Sequence, residues 1–374
     1  MNIHFYCYDD VNNPRCGGGG AYRDLSIHKV LAAQGHCIHF YTGNFSGAQD
    51  SDGPNFHYRH LGMRNNYALS RISFALLATL HSLFVKTDII VIQYSIYAPV
   101  LTFLFRPKKT IVQFFHITGK EVFTKYGLFG MFPHMAEKIA LNCATNYLTL
   151  TDSMSEDFKK RRPHINTVAA YVSFDTSMLS QDTSDDEQYI LCFGRIDIRM
   201  KGIDTLIDAF EKIAGNFPGY RLIVAGRGKE TAINWVHERI RTSPFAQRIQ
   251  CIVNPPDSEK KKLFHAATFV CMPSRFEGWN IAAIEAAASS KATVGTRIHG
   301  LRDAIRDGKT GLLAEPGNSD ALGTTMAHLL TDEPLRHELG KNGYEWALQF
   351  TLERIAGIQE NFYRHITNIN NSRR

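Results

Sequence analysis

"MNIHFYCYDDVNNPRCGGGGAYRDLSIHKVLAAQGHCIHFYTG", Met1 to Gly43, is the stretch on which the fold turns. "MNIHFYCY" is a short apolar and aromatic run of strand type, and "YRDLSIHKVLAAQGH" has apolar residues at helical spacing before a stop at Gly35. "CIHFYTG" is strand-like again. A strand, a glycine-rich turn, a helix and a second strand make one β-loop-α-β module, the repeating unit of a parallel, doubly wound sheet.

Outward from this module, "DIIVIQYS", "KKTIVQFFH" and "NYLTLTD" read as further strands with helical segments between them. From Ser173 to Glu187 the composition changes to "SFDTSMLSQDTSDDE", polar and acidic, which reads as a linker and its flank. The alternation then restarts with "YILCFGR", "GIDTLIDAFEKIAGNFP", "YRLIVAGRG", "IQCIVN", "SEKKKLFHAA", "TFVCMPS", "KATVGTR" and "GLLAEPGN". The expected fold class is therefore α/β, with two Rossmann-like doubly wound parallel-sheet domains: an N-terminal domain over 1–174 and a C-terminal domain over 175–350. Residues 351–374, with the amphipathic "LERIAGIQENFYRHI", are expected to form a helix packing back on the first domain. Two such domains facing each other would bind a ligand in the cleft at the C-terminal ends of both sheets.

The bulk numbers agree. A chain of 374 residues exceeds the size at which one core stops growing, and 44% hydrophobic with 21% charged residues suits a globular enzyme. Seven cysteines without a CxxC fit reduced thiols in a cytoplasm and neither a disulfide framework nor a zinc site. The N-terminus lacks the pattern of a signal peptide, and the most apolar run, Ile72 to Val85, falls short of the roughly 20 residues of a spanning helix. The net charge of +6 is uneven: residues 1–175 hold 17 Lys+Arg against 12 Asp+Glu, the remainder 25 against 24. A basic first half suits an anionic acceptor or an anionic membrane face as well as it suits a solvated surface. No basic module of nucleic-acid-binding type is present, so no nucleic-acid partner is expected.

Gly17 to Gly20 lie between the first strand and first helix, where backbone N–H groups can approach a phosphate. The run is not a dinucleotide fingerprint, since the third glycine would fall on Tyr22 or Arg23, and no Gly-Lys-Ser/Thr follows. "FGRIDIRMKG" puts Arg195 just after a strand and Lys201 six residues on, two cations suited to a diphosphate. "SRFEGWNIAAIEAAA" holds Glu277 and Glu285. With a helix starting near Asn280, their separation is of order 10 Å, wider than the roughly 5–5.5 Å or 6.5–9.5 Å of glycosidase pairs. The layout suits an extended ligand, one carboxylate taking hydroxyls at each end and a helix N-terminus facing charge between them.

Taken in order along nearly the whole chain, "GGGGAYR", the Gly35-His36 pair, "GRIDIRMKG", "VAGRG", "PSRFEGWNIAAIEAAA" and "GLRDAIRDGKTGLLAEPGN" resemble glycosyltransferase family 4, retaining enzymes of the GT-B fold that use nucleotide-sugar donors. The resemblance implies that Arg195 and Lys201 bind the donor diphosphate with a backbone amide of Gly19 or Gly20, that Glu285 takes the ribose hydroxyls and Glu277 a hydroxyl of the sugar. Gly278, Trp279, Asn280 and Ile281 complete the expected donor contacts, and His116 in "VQFFHITGK" would face the reacting carbon. Asp24 is expected to touch acceptor or donor.

This chain departs from the family at Glu-Gly-Trp-Asn, where the family has Glu-Gly-Phe-Gly; Asn280 tolerates unusual φ and can cap the helix. The implied reaction is transfer from a nucleoside diphosphate sugar, most simply a UDP-sugar, to a hydroxyl of a glycan or lipid-linked acceptor in polysaccharide or lipopolysaccharide synthesis. It proceeds with retention, with the leaving diphosphate stabilised by Arg195, Lys201 and the helix start. No DxD stands at a strand end, so neither metal nor cofactor is expected. The alternatives are a nucleotide-sugar epimerase on this fold and a non-catalytic sugar-binding subunit. "KEVFTKYGLFGMFPHM", Lys120 to Met135, mixes aromatics, glycines and cations and could touch a lipid-linked acceptor at the inner face of a membrane.

Overall fold

The computed structural model describes the chain except residues 96, 100, 116, 118, 120–122, 124–126, 128–130, 182–186 and 373–374. It divides into two units, Met1–Val172 with Leu352–Arg374, and Ser173–Thr351.

In the first unit eight strands form one sheet: β1 (Asn2–Tyr6), β2 (Cys37–Gly43), β3 (Ser51–Gly53), β4 (Phe56–Leu61), β5 (Ile89–Gln93), β6 (Thr110–Phe114), β7 (Asn146–Thr149) and β8 (Asn166–Ala169), in the order β3-β4-β2-β1-β5-β6-β7-β8. All neighbours run parallel except β3, which turns back antiparallel on β4. The opening module appears as read: β1 pairs with β2 from Asn2↔Cys37 to Tyr6↔Tyr41, and the helix Gly19–Ala33 connects them. Strands β1, β5 and β6 bury nearly every side chain, the pattern of a sheet covered on both faces.

The C-terminal helix Leu352–Ser372 belongs to this unit and packs on the Gly19–Ala33 helix. Buried Arg23 joins the two helices to the end of β8: it donates to the carbonyls of Tyr171 (2.7 Å) and Ala170 and to Gln359 Oε1 (3.3 Å).

The helix Tyr67–Phe84 crosses from β4 to β5, started by Asn66, whose side chain accepts from the amides of Ala68 and Leu69. Its 18 residues have a mean hydropathy of 1.2, which makes it long and apolar enough to cross a membrane by length and composition, in contrast to the shorter run expected from sequence. It lies on the sheet instead, with Phe74 and Ala78 in the core and Ser70 and Ser82 hydrogen-bonded to Tyr8 and Thr102.

The second unit has six strands, all parallel: β9 (Tyr189–Ile196), β10 (Arg221–Gly228), β11 (Ile249–Val253), β12 (Phe269–Met272), β13 (Thr293–Thr296) and β14 (Gly311–Ala314), in the order β11-β10-β9-β12-β13-β14. The first strand therefore lies centrally and the order reverses between β9 and β12, which makes this pair the topological switch point. The helix Ile203–Ala214 shows how sequence sets the packing: Ile203, Leu206, Ile207, Phe210 and Ile213 recur at helical spacing and are all buried in this unit's core.

Candidate functional site

At the carboxyl end of β9 the chain passes Arg195 and enters a single helical turn, Ile198–Lys201. Asp197 starts the turn, its side chain accepting from the Met200 amide at 2.9 Å. Gly202 ends it at φ 66°, a left-handed conformation in which a Cβ would come within 2.1 Å of the Pro273 carbonyl oxygen just past β12. That approach holds the Lys201 turn against the neighbouring switch-point strand. Replacing Gly202 with alanine adds both the left-handed penalty and a backbone clash. It is expected to cost about 2–4 kcal/mol, read as a fall in melting temperature with a matching loss of ligand affinity.

The β12 side supplies Glu277. Its Oε1 accepts from the Lys201 ammonium, from Ser274 Oγ at 2.7 Å and from Asn280 Nδ2 at 3.1 Å. Only about a fifth of the Lys201 side chain and a tenth of Glu277 are exposed, so this pair is shielded from screening to a degree that surface pairs are not. Three backbone and side-chain devices fix the loop. Gly300, at φ 69°, lies so close that a Cβ would meet the Glu277 carbonyl oxygen at 2.5 Å. Thr296 Oγ1, at the end of β13, donates to the Ser274 carbonyl. Arg275 forks onto Asp204 at 2.8 and 2.9 Å and reaches Thr205 Oγ1 at 2.6 Å, tying the Glu277 loop to the helix that follows Lys201.

Asn280 is the N-cap of the helix Ile281–Ala288, its side-chain oxygen accepting from the Ala283 amide at 2.9 Å. Its φ of −103° is ordinary, so the position needs no glycine-like backbone. Glu285, one turn into that helix, is buried, and burial pushes its carboxyl above the usual range while Lys260 pulls it down. Lys260 Nζ stands 2.5 Å from Glu285 Oε1 and 5.5 Å from the centroid of the Phe193 ring. Trp279 is buried and packs on Phe350 with ring centroids 5.1 Å apart, while Gly278 and Ile281 are half-buried. The Arg195 side chain is 65% exposed, and its Nε stands 3.9 Å from Asp197 Oδ2.

The structure thus brings Lys201, Glu277 and Asn280 into direct contact and gives Glu285 a cationic partner that the sequence reading missed. Nothing in "SEKKKLFHAA" separates Lys260 from the two lysines after it; only the packing of that helix beside β9 does so.

In the first unit, Gly19 and Gly20 open the Gly19–Ala33 helix, and its N-cap Gly18 offers no side-chain cap to the first-turn amides. Gly20 lies under the Phe115 ring, where a Cβ would meet it at 2.4 Å. Asp24 corrects an expectation. It is fully buried, its carboxylate taken by Arg23 Nη1 at 2.5 Å and by Gln113 Nε2 at 2.8 and 3.0 Å, so it has no exposed surface to offer acceptor or donor. The reason is periodicity: Asp24 falls on the same inward helix face as Ile27, His28 and Leu31. His116 and most of the Lys120–Met135 stretch lie outside the described residues.

Among the described residues one Cys/His group has its potential metal-ligand atoms within 4.8 Å of one another: Cys37, His39 and His57, on β2 and β4. The two imidazoles there stack at 4.8 Å and 21°, with His57 Nδ1 2.6 Å from Asp52, so the rings lie one over the other and do not converge on a tetrahedral point.

Residues 174–346 match the family model described as glycosyl transferases group 1. An uncharacterized glycosyltransferase of Methanocaldococcus jannaschii is 32% identical over 164 residues, 44% of this chain and 44% of that protein; the chain thus spans less than half the length of this relative. A capsular polysaccharide biosynthesis glycosyltransferase of Staphylococcus aureus is 24% identical over 62% of this chain and 64% of its own.

Among solved structures, sucrose-phosphate synthase from Thermosynechococcus elongatus superposes with a TM-score of 0.78 at 19% identity, covering 99% of this chain and 100% of that one. The Anabaena HepE protein, solved with UDP-glucose, gives 0.71 at 17% identity, over 96% and 99%. The fold is GT-B, and the second unit, which holds Lys201, Glu277 and Glu285, carries the sequence pattern of glycosyl transferases group 1.

Proposed function

We propose that this chain is a retaining glycosyltransferase that moves a sugar from a nucleoside diphosphate donor, a UDP-sugar first, to a hydroxyl of a glycan or lipid-linked acceptor in polysaccharide or lipopolysaccharide synthesis. The observation that carries the reading is the contact between Lys201 and Glu277 at the β9/β12 switch point, where open parallel sheets bind ligands. The UDP-glucose bound to the Anabaena protein and the capsular polysaccharide role of the Staphylococcus relative support the choice of donor and acceptor class.

In this reading Lys201 and exposed Arg195 take the diphosphate, and Glu277, released from Lys201 by the incoming anion, accepts a hydroxyl of the sugar. Glu285 accepts the ribose hydroxyls, with Lys260 keeping it ionised. The barrier is departure of the diphosphate as positive charge grows on the sugar, so fixed cations facing the leaving oxygens lower it. In this reading the two cations take the place that a metal ion would otherwise have on the diphosphate. A front-face attack, in which the leaving phosphate oxygen takes the acceptor proton, gives retention without a protein nucleophile. The acceptor would be met at the inner face of a cytoplasmic membrane.

The test is a thermal-shift screen of UDP-, GDP- and ADP-sugars with donor hydrolysis as a second readout. A UDP-sugar is expected to raise the melting temperature and to be hydrolysed slowly. Because a carboxylate accepts hydroxyls better than a carboxylic acid, the shift should shrink as pH falls through the raised pKa of Glu285. A flat response to every donor overturns the reading.

A further inference from the structure

The helix Tyr67–Phe84 is built the wrong way round for a helix that ends at water. Its inward residues are mostly small or polar, Ser70, Ala78 and Ser82 with Phe74, while the large apolar ones look out. Leu69, Ile72, Leu76, Leu80 and Phe84 recur at three- and four-residue spacing on the outward face, exposed by 45%, 55%, 67%, 58% and 79%. The neighbouring turn Thr102–Phe105 packs beside this helix and continues the surface with Leu101, Leu104 and Phe105. The helix Met131–Cys143 packs beside that turn and adds Met131, Met135 and Ile139, four residues apart on one face. A monomer in water seldom leaves so many large apolar side chains contiguous and uncovered.

Charge selects the occupant. Between residues 60 and 110 the sequence has six Lys+Arg, at 64, 71, 86, 106, 108 and 109, against a single acid, Asp88. Arg64 and Lys86 flank the two ends of the apolar helix, and both are exposed. Where the apolar stripe ends at Phe84, an open groove begins that is lined by Lys86, Arg106 and Lys109 together with Asp88. Arg106 donates to the carbonyls of Ser82 and Val85 at 2.8 Å each, so the cations are tied to the end of the same helix.

We infer that this face of the first unit, the Tyr67–Phe84 helix with its two neighbours, docks flat on an anionic phospholipid bilayer, the apolar side chains entering the acyl boundary and the flanking cations meeting headgroup phosphates. The helix lies in the interface and does not span it, because Ser70, Phe74, Ala78, His81 and Ser82 hold it to the sheet; the Tyr6 hydroxyl meets His81 Nδ1 at 2.7 Å. The inference deepens the proposed function by saying where a lipid-linked acceptor would be met, but membrane binding itself needs neither donor nor turnover.

The experiment is flotation of the full chain with vesicles of phosphatidylcholine alone and of phosphatidylcholine with phosphatidylglycerol. The wild-type chain is expected to float with the anionic vesicles, to float at least tenfold less with the neutral ones, and to be released by salt. Leu76→Glu with Leu80→Glu, at exposed positions away from the donor site, should abolish flotation without changing the melting temperature. Lys86→Glu should weaken it about tenfold. Failure of the wild type to bind anionic vesicles overturns the inference. So does a concentration-dependent dimer that the double variant dissociates while vesicle binding stays absent, since the face would then belong to a second copy of the chain. The donor screen is read separately, so loss of one result leaves the other standing.

Discussion

Lys201→Ala is expected to lower kcat/KM about 10²–10³-fold, the usual loss when one fixed group facing the leaving charge is removed. The effect should fall mainly on turnover, because the negative charge on the diphosphate is greatest as the bond to the sugar breaks. The fold should survive: Glu277 keeps Ser274 and Asn280 as donors, and part of its side chain reaches water. Melting temperature within a few degrees of wild type, together with the kinetic loss, is the expected pair of results. Near-normal turnover would remove the diphosphate role of Lys201, whatever the donor. Lys201→Arg is a useful companion, since a planar fork keeps the charge but cannot occupy the position of a compact ammonium beside Glu277.

Asp24→Ala should act in the opposite manner, on stability and not on donor handling. The Arg23–Asp24 pair is buried, with side-chain exposures of 1% and 0%. Breaking such a pair from one side leaves a buried guanidinium without its counter-charge, a cost of about 3–5 kcal/mol. In a unit of this size that lowers the melting temperature by roughly 6–20 °C. Because Arg23 also holds the Ala170 and Tyr171 carbonyls and Gln359, the loss should reach the C-terminal helix, seen as faster amide exchange there. An unchanged melting temperature with a raised KM for donor would mean that Asp24 meets ligand after all.

Much of this architecture is legible in the linear sequence, because parallel strands buried on both faces leave continuous apolar runs. "YILCFGR" and "CIHFYTG" are such runs, and they became β9 and β2. Edge elements left weaker traces. The β3–β4 hairpin over "SDGPNFHYRHL" mixes charges and histidines on a half-covered edge, and β8 has only four residues, so neither shows a clear period.

At the candidate site, residues that are exceptional in their local string were legible in the sequence: Lys201 before a glycine, Glu277 before Gly-Trp-Asn. Partners fixed only by tertiary packing were not. Lys260, Arg275 and Asp204 look like ordinary surface charges until β9 and β12 lie side by side. Asp24 shows the converse: beside a glycine-rich turn it reads in sequence as a ligand contact, whereas its place on the inward face of the helix buries it against Arg23 and Gln113.

Asn280 leaves one consequence for variation in this protein. Its two amide atoms serve two clients, the oxygen the Ala283 N–H and the nitrogen the Glu277 carboxylate. The start of the helix and the aim of the carboxylate are therefore coupled through one side chain. Aspartate would preserve the first link and set a like charge against the second; serine would preserve the first and let the carboxylate swing. A change at this single position can thus re-aim the Glu277 carboxylate while the scaffold beneath it stays folded, which makes it a natural point of divergence between otherwise similar chains.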